Sequence, residues 1–184
     1  MKQIQLGIIG VGWCGGIRAE TAAKNPLVSS LHLAETHPDR LKQLQQTVKA
    51  DTYTDDYKKL IDNPAIDAIV ISATPESTHF PMARDALKAG KHVFLEKPIA
   101  IELAEADELI ELARKNKLKF TIGYSQRFNP KYAYVKKALN DGVIGRAVSV
   151  LVSRHITRSL GKKISGRIKL SPAAMESTHD LDFV

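Results

Sequence analysis

The sequence holds one cysteine, Cys14, one tryptophan, Trp13, and few aromatics overall, 6% of 184 residues. A lone cysteine closes no intrachain disulfide, so a disulfide-stapled scaffold is excluded and a reducing, cytoplasmic setting is the expectation. No apolar run approaches the roughly 18 residues that a membrane-spanning helix needs. Residues 1–10 are too short and too regularly patterned for a secretory leader. No metal site is expected, and neither internal repeats nor low-complexity segments are present. Hydrophobic residues make up 43% and charged residues 26%, ordinary usage for a soluble globular chain, which excludes a disordered tail or a collagen-like rod. The length suits one domain plus a remainder.

The formal charge is +7, which raises nucleic acid as a partner. Its distribution argues otherwise. Residues 1–130 carry 17 Lys and Arg against 16 Asp and Glu, net +1. Residues 131–170 carry 10 basic residues against Asp141 alone, net +9, and residues 171–184 carry three acids and no base. No tyrosine follows Tyr134 to interleave with the late basic stretch, so a solvated face accounts for it and no nucleic acid is expected.

Short apolar runs alternate with helical ones, the pattern of a doubly wound parallel sheet with helices on both faces. Strands are expected at 4–9, 28–35, 52–53, 67–72, 92–95 and 119–122. Helices are expected at 15–24, 38–49, 55–62, 78–89 and 101–116. The order 3-2-1-4-5-6 is predicted for the sheet. After Gly123 the rhythm changes. A helix is expected over 130–140 and a strand of a different sheet over 146–155, where Val148, Val150 and Val152 alternate with Ser149, Leu151 and Ser153. A weakly patterned basic stretch follows, then the start of a helix from Pro172. The expected division is a Rossmann domain over 1–123 and, over 124–184, the incomplete start of a second α+β domain, truncated.

Gly10-Val11-Gly12-Trp13-Cys14-Gly15 fits G-x-G-x-x-G. It follows a strand, opens a helix, and is followed twenty residues after Gly15 by an acid, Glu35, at the end of the next strand. That context marks a dinucleotide site. Gly10 permits the turn, Gly12 lets a pyrophosphate approach the backbone, and Gly15 lets helix and strand pack closely. The pyrophosphate then rests on the helix N-terminus. Glu35 is expected on the adenosine ribose hydroxyls, which favours NAD over NADP; His37 and Arg40 nearby soften that preference. Trp13 either covers the pyrophosphate or packs on neighbouring loops. Cys14 is assigned no catalytic role. Glu96-Lys97-Pro98 follows the apolar strand at 92–95, so Lys97 is expected in the cofactor crevice, where its ammonium can stabilise charge on a reacting oxygen. The bland alternative is a solvated ion pair in a surface turn.

The glycine loop, Ala73-Thr74-Pro75-Glu76-Ser77-Thr78-His79, Ala89-Gly90-Lys91-His92-Val93, Glu96-Lys97-Pro98 and Gly123-Tyr124-Ser125-Gln126-Arg127-Phe128-Asn129-Pro130 occur in this order. Together they resemble the glucose–fructose oxidoreductase / inositol dehydrogenase family (Gfo/Idh/MocA), over residues 4–184. The resemblance implies an NAD(P)-binding N-terminal half and a C-terminal half that builds the substrate pocket and an oligomer interface. It implies that Lys97 is catalytic, that Thr74, Pro75 and His79 lie along the cofactor with Glu96, and that Lys97–Pro98 is often cis, which an X-Pro pair does not reveal by itself. His179-Asp180-Leu181-Asp182 resembles the family's His-x-x-Asp, whose His is the acid/base, a role that suits imidazole. Arg127, Glu176 and Asp182 are carried as substrate-side candidates. The family's acid four residues before this His is Met175 here, with Glu176 one residue later. Relatives are also longer, so most of a substrate domain is missing from this chain.

The expected function is NAD-dependent hydride transfer to or from a sugar, polyol or related small molecule, impaired by truncation. A non-catalytic dinucleotide-binding module or truncated gene product is the alternative. Partners are expected to be a small-molecule substrate and a second copy, through the strand at 146–155, and no membrane.

Overall fold

The computed structural model describes residues 2–165 and 172–183. The chain divides into two units, Met1–Ile122 and Gly123–Val184.

The first unit is one parallel six-stranded sheet. Its strands are β1 (Ile4–Ile9), β2 (Val28–Ala34), β3 (Thr52–Thr54), β4 (Ala68–Ile71), β5 (His92–Leu95) and β6 (Phe120–Ile122). The order is β3-β2-β1-β4-β5-β6, as the strand–helix alternation predicts. β1 pairs with β2 on one side and β4 on the other, so successive crossovers leave it in opposite directions. A crevice opens at that reversal, outside the carboxyl ends of the strands. Helices α1 (Trp13–Ala23), α2 (Pro38–Thr47), α3 (Lys58–Ile61), α4 (His79–Lys88) and α5 (Leu103–Lys115) make the crossovers.

The two-residue period of a strand distributes the core. Ile8 and Leu33 point into one cluster with Ala19, Leu31 and Leu44. Their neighbours Ile9 and Ala34 point into the other, with Ile69, Ile71, Leu87, Leu95 and Leu109. Local chemistry sets the helix ends. Pro38 supplies the first residue of α2. Glu102 and Glu105 form a reciprocal capping box at α5. Gly90 leaves α4 with φ +77°. The helix read over 55–62 shortens to α3 because Asp56 Oδ1 accepts the Lys58 N–H at 2.9 Å, capping it late.

The second unit, as described, is helical: α6 (Pro130–Asn140), α7 (Arg158–Ser165) and α8 (Pro172–Phe183), with a 3-10 turn at Ser125–Phe128. Asn129 Oδ1 accepts the Lys131 N–H at 3.0 Å and Pro130 starts α6. The strand expected over 146–155 is not formed. Alternation alone does not make a strand; its N–H and C=O groups need a partner ladder, and none faces it among the described residues. Val148 and Leu151 are instead largely exposed. The second sheet, and self-association through its edge, therefore have no strand to rest on here. Part of the weakly patterned basic stretch is helix α7; residues 166–171 lie outside the described residues. Among the described residues no helix is long and apolar enough to cross a membrane, and no three His, Cys, Asp or Glu side chains gather to hold a metal ion.

His32 on β2 is buried, its ring between Ser30 Oγ (3.0 Å from Nε2) and Thr52 Oγ1 (2.9 Å from Nδ1). Burial holds its pKa below 6.5, partly opposed by Asp51. The unfolded chain therefore binds a proton that the folded chain resists, and stability falls as pH drops below about 6.5. Denaturant unfolding at pH 7, 6 and 5 should show this loss, with a shallower slope for His32→Gln; equal slopes would assign the loss elsewhere.

Candidate functional site

The turn between β1 and α1 is built on missing side chains. Gly10 has φ +78°, and a Cβ there would lie 2.5 Å from Ala73 Cα. A Cβ at Gly15 would lie 2.0 Å from the Gly10 carbonyl oxygen and 3.3 Å from Ser72 Cβ. Gly12 differs: a Cβ there would meet only Arg40 Nη1, at 3.7 Å, so its surroundings are open. Gly12 is the N-cap of α1, and no side chain caps that end. The first-turn N–H groups and the helix dipole are thus left for an anion. Ser72 Oγ lies buried beside this turn, a polar atom with no hydrogen-bond partner among the described residues. Trp13 is 84% exposed, so it does not pack on neighbouring loops.

Glu35, 6% exposed, closes the turn from the β2 side. Its Oε2 accepts the Val11 N–H at 3.0 Å and its Oε1 the His37 N–H at 3.0 Å. Arg40 Nη1 stands 3.4 Å from Oε2. A carboxylate offers about four acceptor sites, so two backbone bonds leave capacity for ribose hydroxyls. A cavity of about 410 Å³ at the ends of β2 and β3 is lined by Glu35, Thr36, Leu41, Tyr53 and Thr54 among others.

Past β4 and β5 run the two proline turns, and both the Thr74–Pro75 and the Lys97–Pro98 peptides are cis. Glu96 is committed to its surroundings. It pairs with Arg18 of α1, and its Oε2 accepts the Lys97 N–H at 3.2 Å. Arg18 also donates to the Cys14 carbonyl at 3.2 Å and lies over the Phe94 ring, 5.0 Å from its centroid. One guanidinium thus links the first turn of α1 to the strand end that carries Lys97. Arg18 and Ser72 escape sequence reasoning, because Arg18 meets Glu96 far along the chain and no motif marks the Ser72 hydroxyl as buried beside the glycine turn.

The second unit holds the remaining candidates, so Lys97 and His179 belong to different units. On α8, Met175, His179 and Asp182 recur at four and three residues and share a face. Arg127 grips Asp182 with Nε and Nη2 at 2.7–3.1 Å. The Tyr124 ring meets His179 edge-on, centroids 6.4 Å apart. Burial, then Asp182, raises the Tyr124 pKa. Glu176 and Asp180 face Arg154, which bonds both Asp180 oxygens at 2.5 and 2.7 Å and lies 4.0 Å from Glu176. That hydrogen bonding holds the Asp180 carboxyl below the usual carboxylate range. Met175, at the position of the acid, is buried at 2% exposure.

Comparison with known proteins agrees with the fold of the first unit. The profile of the oxidoreductase family with an NAD-binding Rossmann fold (Gfo/Idh/MocA) matches residues 4–124. This chain belongs to that family. Its first unit is accordingly an NAD-binding Rossmann domain. The scyllo-inositol 2-dehydrogenase (NAD(+)) of Bacillus subtilis is 27% identical over 183 residues, 98% of this chain and 52% of the relative. The myo-inositol 2-dehydrogenase of Thermotoga maritima is 29% identical over 143 residues, 78% of this chain and 42% of the relative. The scyllo-inositol dehydrogenase of Lactobacillus casei, solved with NAD(H) and scyllo-inositol, superposes with a TM-score of 0.73 at 30% identity, covering 78% of this chain and 43% of that one. The chain spans about half the length of the curated relatives it matches.

In the Gfo/Idh/MocA chain described here, two glycines predict opposite phenotypes for one added methyl. Gly15→Ala should cost about 3 kcal/mol or more of stability, since backbone must move. Gly12→Ala should change stability by about 0.5 kcal/mol or less but weaken NADH binding at least about tenfold, by occupying the phosphate approach. Thermal unfolding and NADH titration of both variants check this.

Proposed function

We propose that this protein is an NAD-dependent oxidoreductase acting on a hydroxyl/carbonyl pair of a polyol, sugar or similar small molecule. The observation that carries this reading is the uncapped N-terminus of α1 at the sheet's reversal point, with Lys97 just past the end of β5, two strands from β1. Inositol dehydrogenases among the relatives support the substrate class.

The residues present fit the dinucleotide: open space over Gly12, unclaimed amides on α1, and the orphaned Ser72 hydroxyl at one end, Glu35 at the other. When bound, the nicotinamide supplies the hydride acceptor or donor. The chain's own groups do the rest. The α1 amides and dipole neutralise the pyrophosphate. Glu35 takes the ribose hydroxyls and repels a 2′-phosphate, which selects NAD, while Arg40 offsets part of its charge. Thr74 and Pro75 wall the crevice and exposed Trp13 covers its mouth. Lys97 offers its ammonium to the reacting substrate oxygen, where negative charge develops. His179 takes the hydroxyl proton in oxidation and returns it in reduction. Arg127 grips Asp182 and so holds α8 and the imidazole; Glu176 serves the substrate side beside Arg154.

Trp13 is the only tryptophan beside five tyrosines, so fluorescence excited selectively at tryptophan reports on the glycine turn. NADH should quench it and NADPH should do so more weakly; Glu35→Ser should narrow the gap. Oxidation of a polyol and sugar panel should generate NADH, and Lys97→Ala should cut turnover at least about a hundredfold. Absence of NADH binding would overturn the proposal. Binding without turnover on any member of the panel would instead favour a non-catalytic dinucleotide-binding module.

A further inference from the structure

His79 is the first residue of α4 and is 1% exposed. Its Nδ1 lies 2.8 Å from the Pro98 carbonyl oxygen and its Nε2 3.1 Å from the Ala73 carbonyl oxygen. Those carbonyls belong to different segments: Ala73 precedes the Thr74–Pro75 turn, and Pro98 ends the Glu96-Lys97-Pro98 turn. The Glu96 N–H to Ile71 O bond, 2.9 Å, still joins the ends of β4 and β5. Beyond it both segments leave the sheet ladder. The ring stands between them on a helix anchored by Ala83, Ala86 and Leu87, all fully buried.

We propose that His79 is a positioning residue: a strut that fixes the Thr74–Pro75 turn and the Lys97 turn at one separation beyond the ends of β4 and β5. Both ring nitrogens are turned to backbone carbonyls, which only accept, so the ring donates to both when each nitrogen carries a proton and to one of them when neutral. The ring is buried, so no polar atom of His79 faces a ligand. Its influence on a cofactor runs through the two turns. The consequence for NADH and Lys97 rests on the proposed function; the strut itself does not.

Side-chain amides separate the two contacts. The Asn amide nitrogen reaches the place of Nδ1 and can donate to Pro98 O. That of Gln reaches the place of Nε2 and can donate to Ala73 O. Amide hydrogen exchange, NADH titration and the pH profile of Lys97 acylation are measured on the wild type, His79→Asn, His79→Gln and His79→Leu. His79→Asn should speed exchange at Ala73, Thr74 and Glu76 about tenfold and weaken NADH binding about tenfold, with the Lys97 profile kept. His79→Gln should speed exchange at Lys97, Ile99 and Ala100 and shift the Lys97 profile, with NADH affinity within about threefold of wild type. His79→Leu should do both. A general loss of packing predicts no such split: like behaviour of the Asn and Gln variants, or a uniform rise in exchange across Met1–Ile122, overturns the strut. Failure of the wild type to bind NADH would sink the cofactor reading, while the exchange data would still decide the strut.

Discussion

A methyl group at Gly15 would sit 2.0 Å from the Gly10 carbonyl oxygen, and one at Gly10 would sit 2.5 Å from Ala73 Cα. No side chain fits in either place, so α1, β1 and the end of β4 meet as bare backbone. This contact fixes where α1 begins, and the start of α1 aims its free amides into the crevice. Other groups then lock the arrangement from outside. Glu35 holds the Val11 amide from the β2 side, Arg18 ties α1 to Glu96, and His79 spans the two turns beyond β4 and β5. Arg18 and Glu96 are committed to each other, while the α1 terminus has no side-chain cap and the Ser72 hydroxyl no partner among the described residues.

The second unit is held differently. Its apolar residues over 143–160 are mostly exposed, and α8 is held by a pair of arginine grips together with buried Met175 and the Tyr132–Phe183 ring contact. Exposed ion pairs contribute about 0–1 kcal/mol. The Arg154–Asp180 pair is better placed, with side chains 28% and 19% exposed, whereas Arg127 is 66% exposed. The two grips fix the rotation of α8 about its axis. Arg154 claims the Glu176 and Asp180 side, and Arg127 with Tyr124 claims the side of His179 and Asp182.

The first unit was legible because each of its signals is local. Apolar runs of four to six residues mark strands covered on both faces, and glycine, proline and capping residues punctuate them. The crossover order follows from the glycine turn at the first βα junction. Helix ends slipped where a side chain caps late, as Asp56 does at α3. The run over 146–155 misled for a physical reason: alternation describes how a strand would present its faces, while a strand exists only where another lies beside it. At the site, the residue types were legible and their tasks less so. Glu35 and Glu96 read as ligand groups, yet each also braces a turn, and His79 reads as lying along the cofactor while its nitrogens face Ala73 and Pro98. Val11, Ala73 and Pro98 lie 24, 6 and 19 residues from the groups they meet and Arg18 sits on another element, pairings that no motif reports.

The central claim is that the dinucleotide lies with its pyrophosphate on the N-terminus of α1. Titrating ¹⁵N-labelled protein with NADH and following amide shifts tests it most directly. The account predicts that the largest shifts fall on residues 10–16, with smaller ones at 35–37, 72–75 and 96–97, and none across 158–165. Shifts concentrated in the basic stretch at 158–165, with residues 10–16 unmoved, would contradict it.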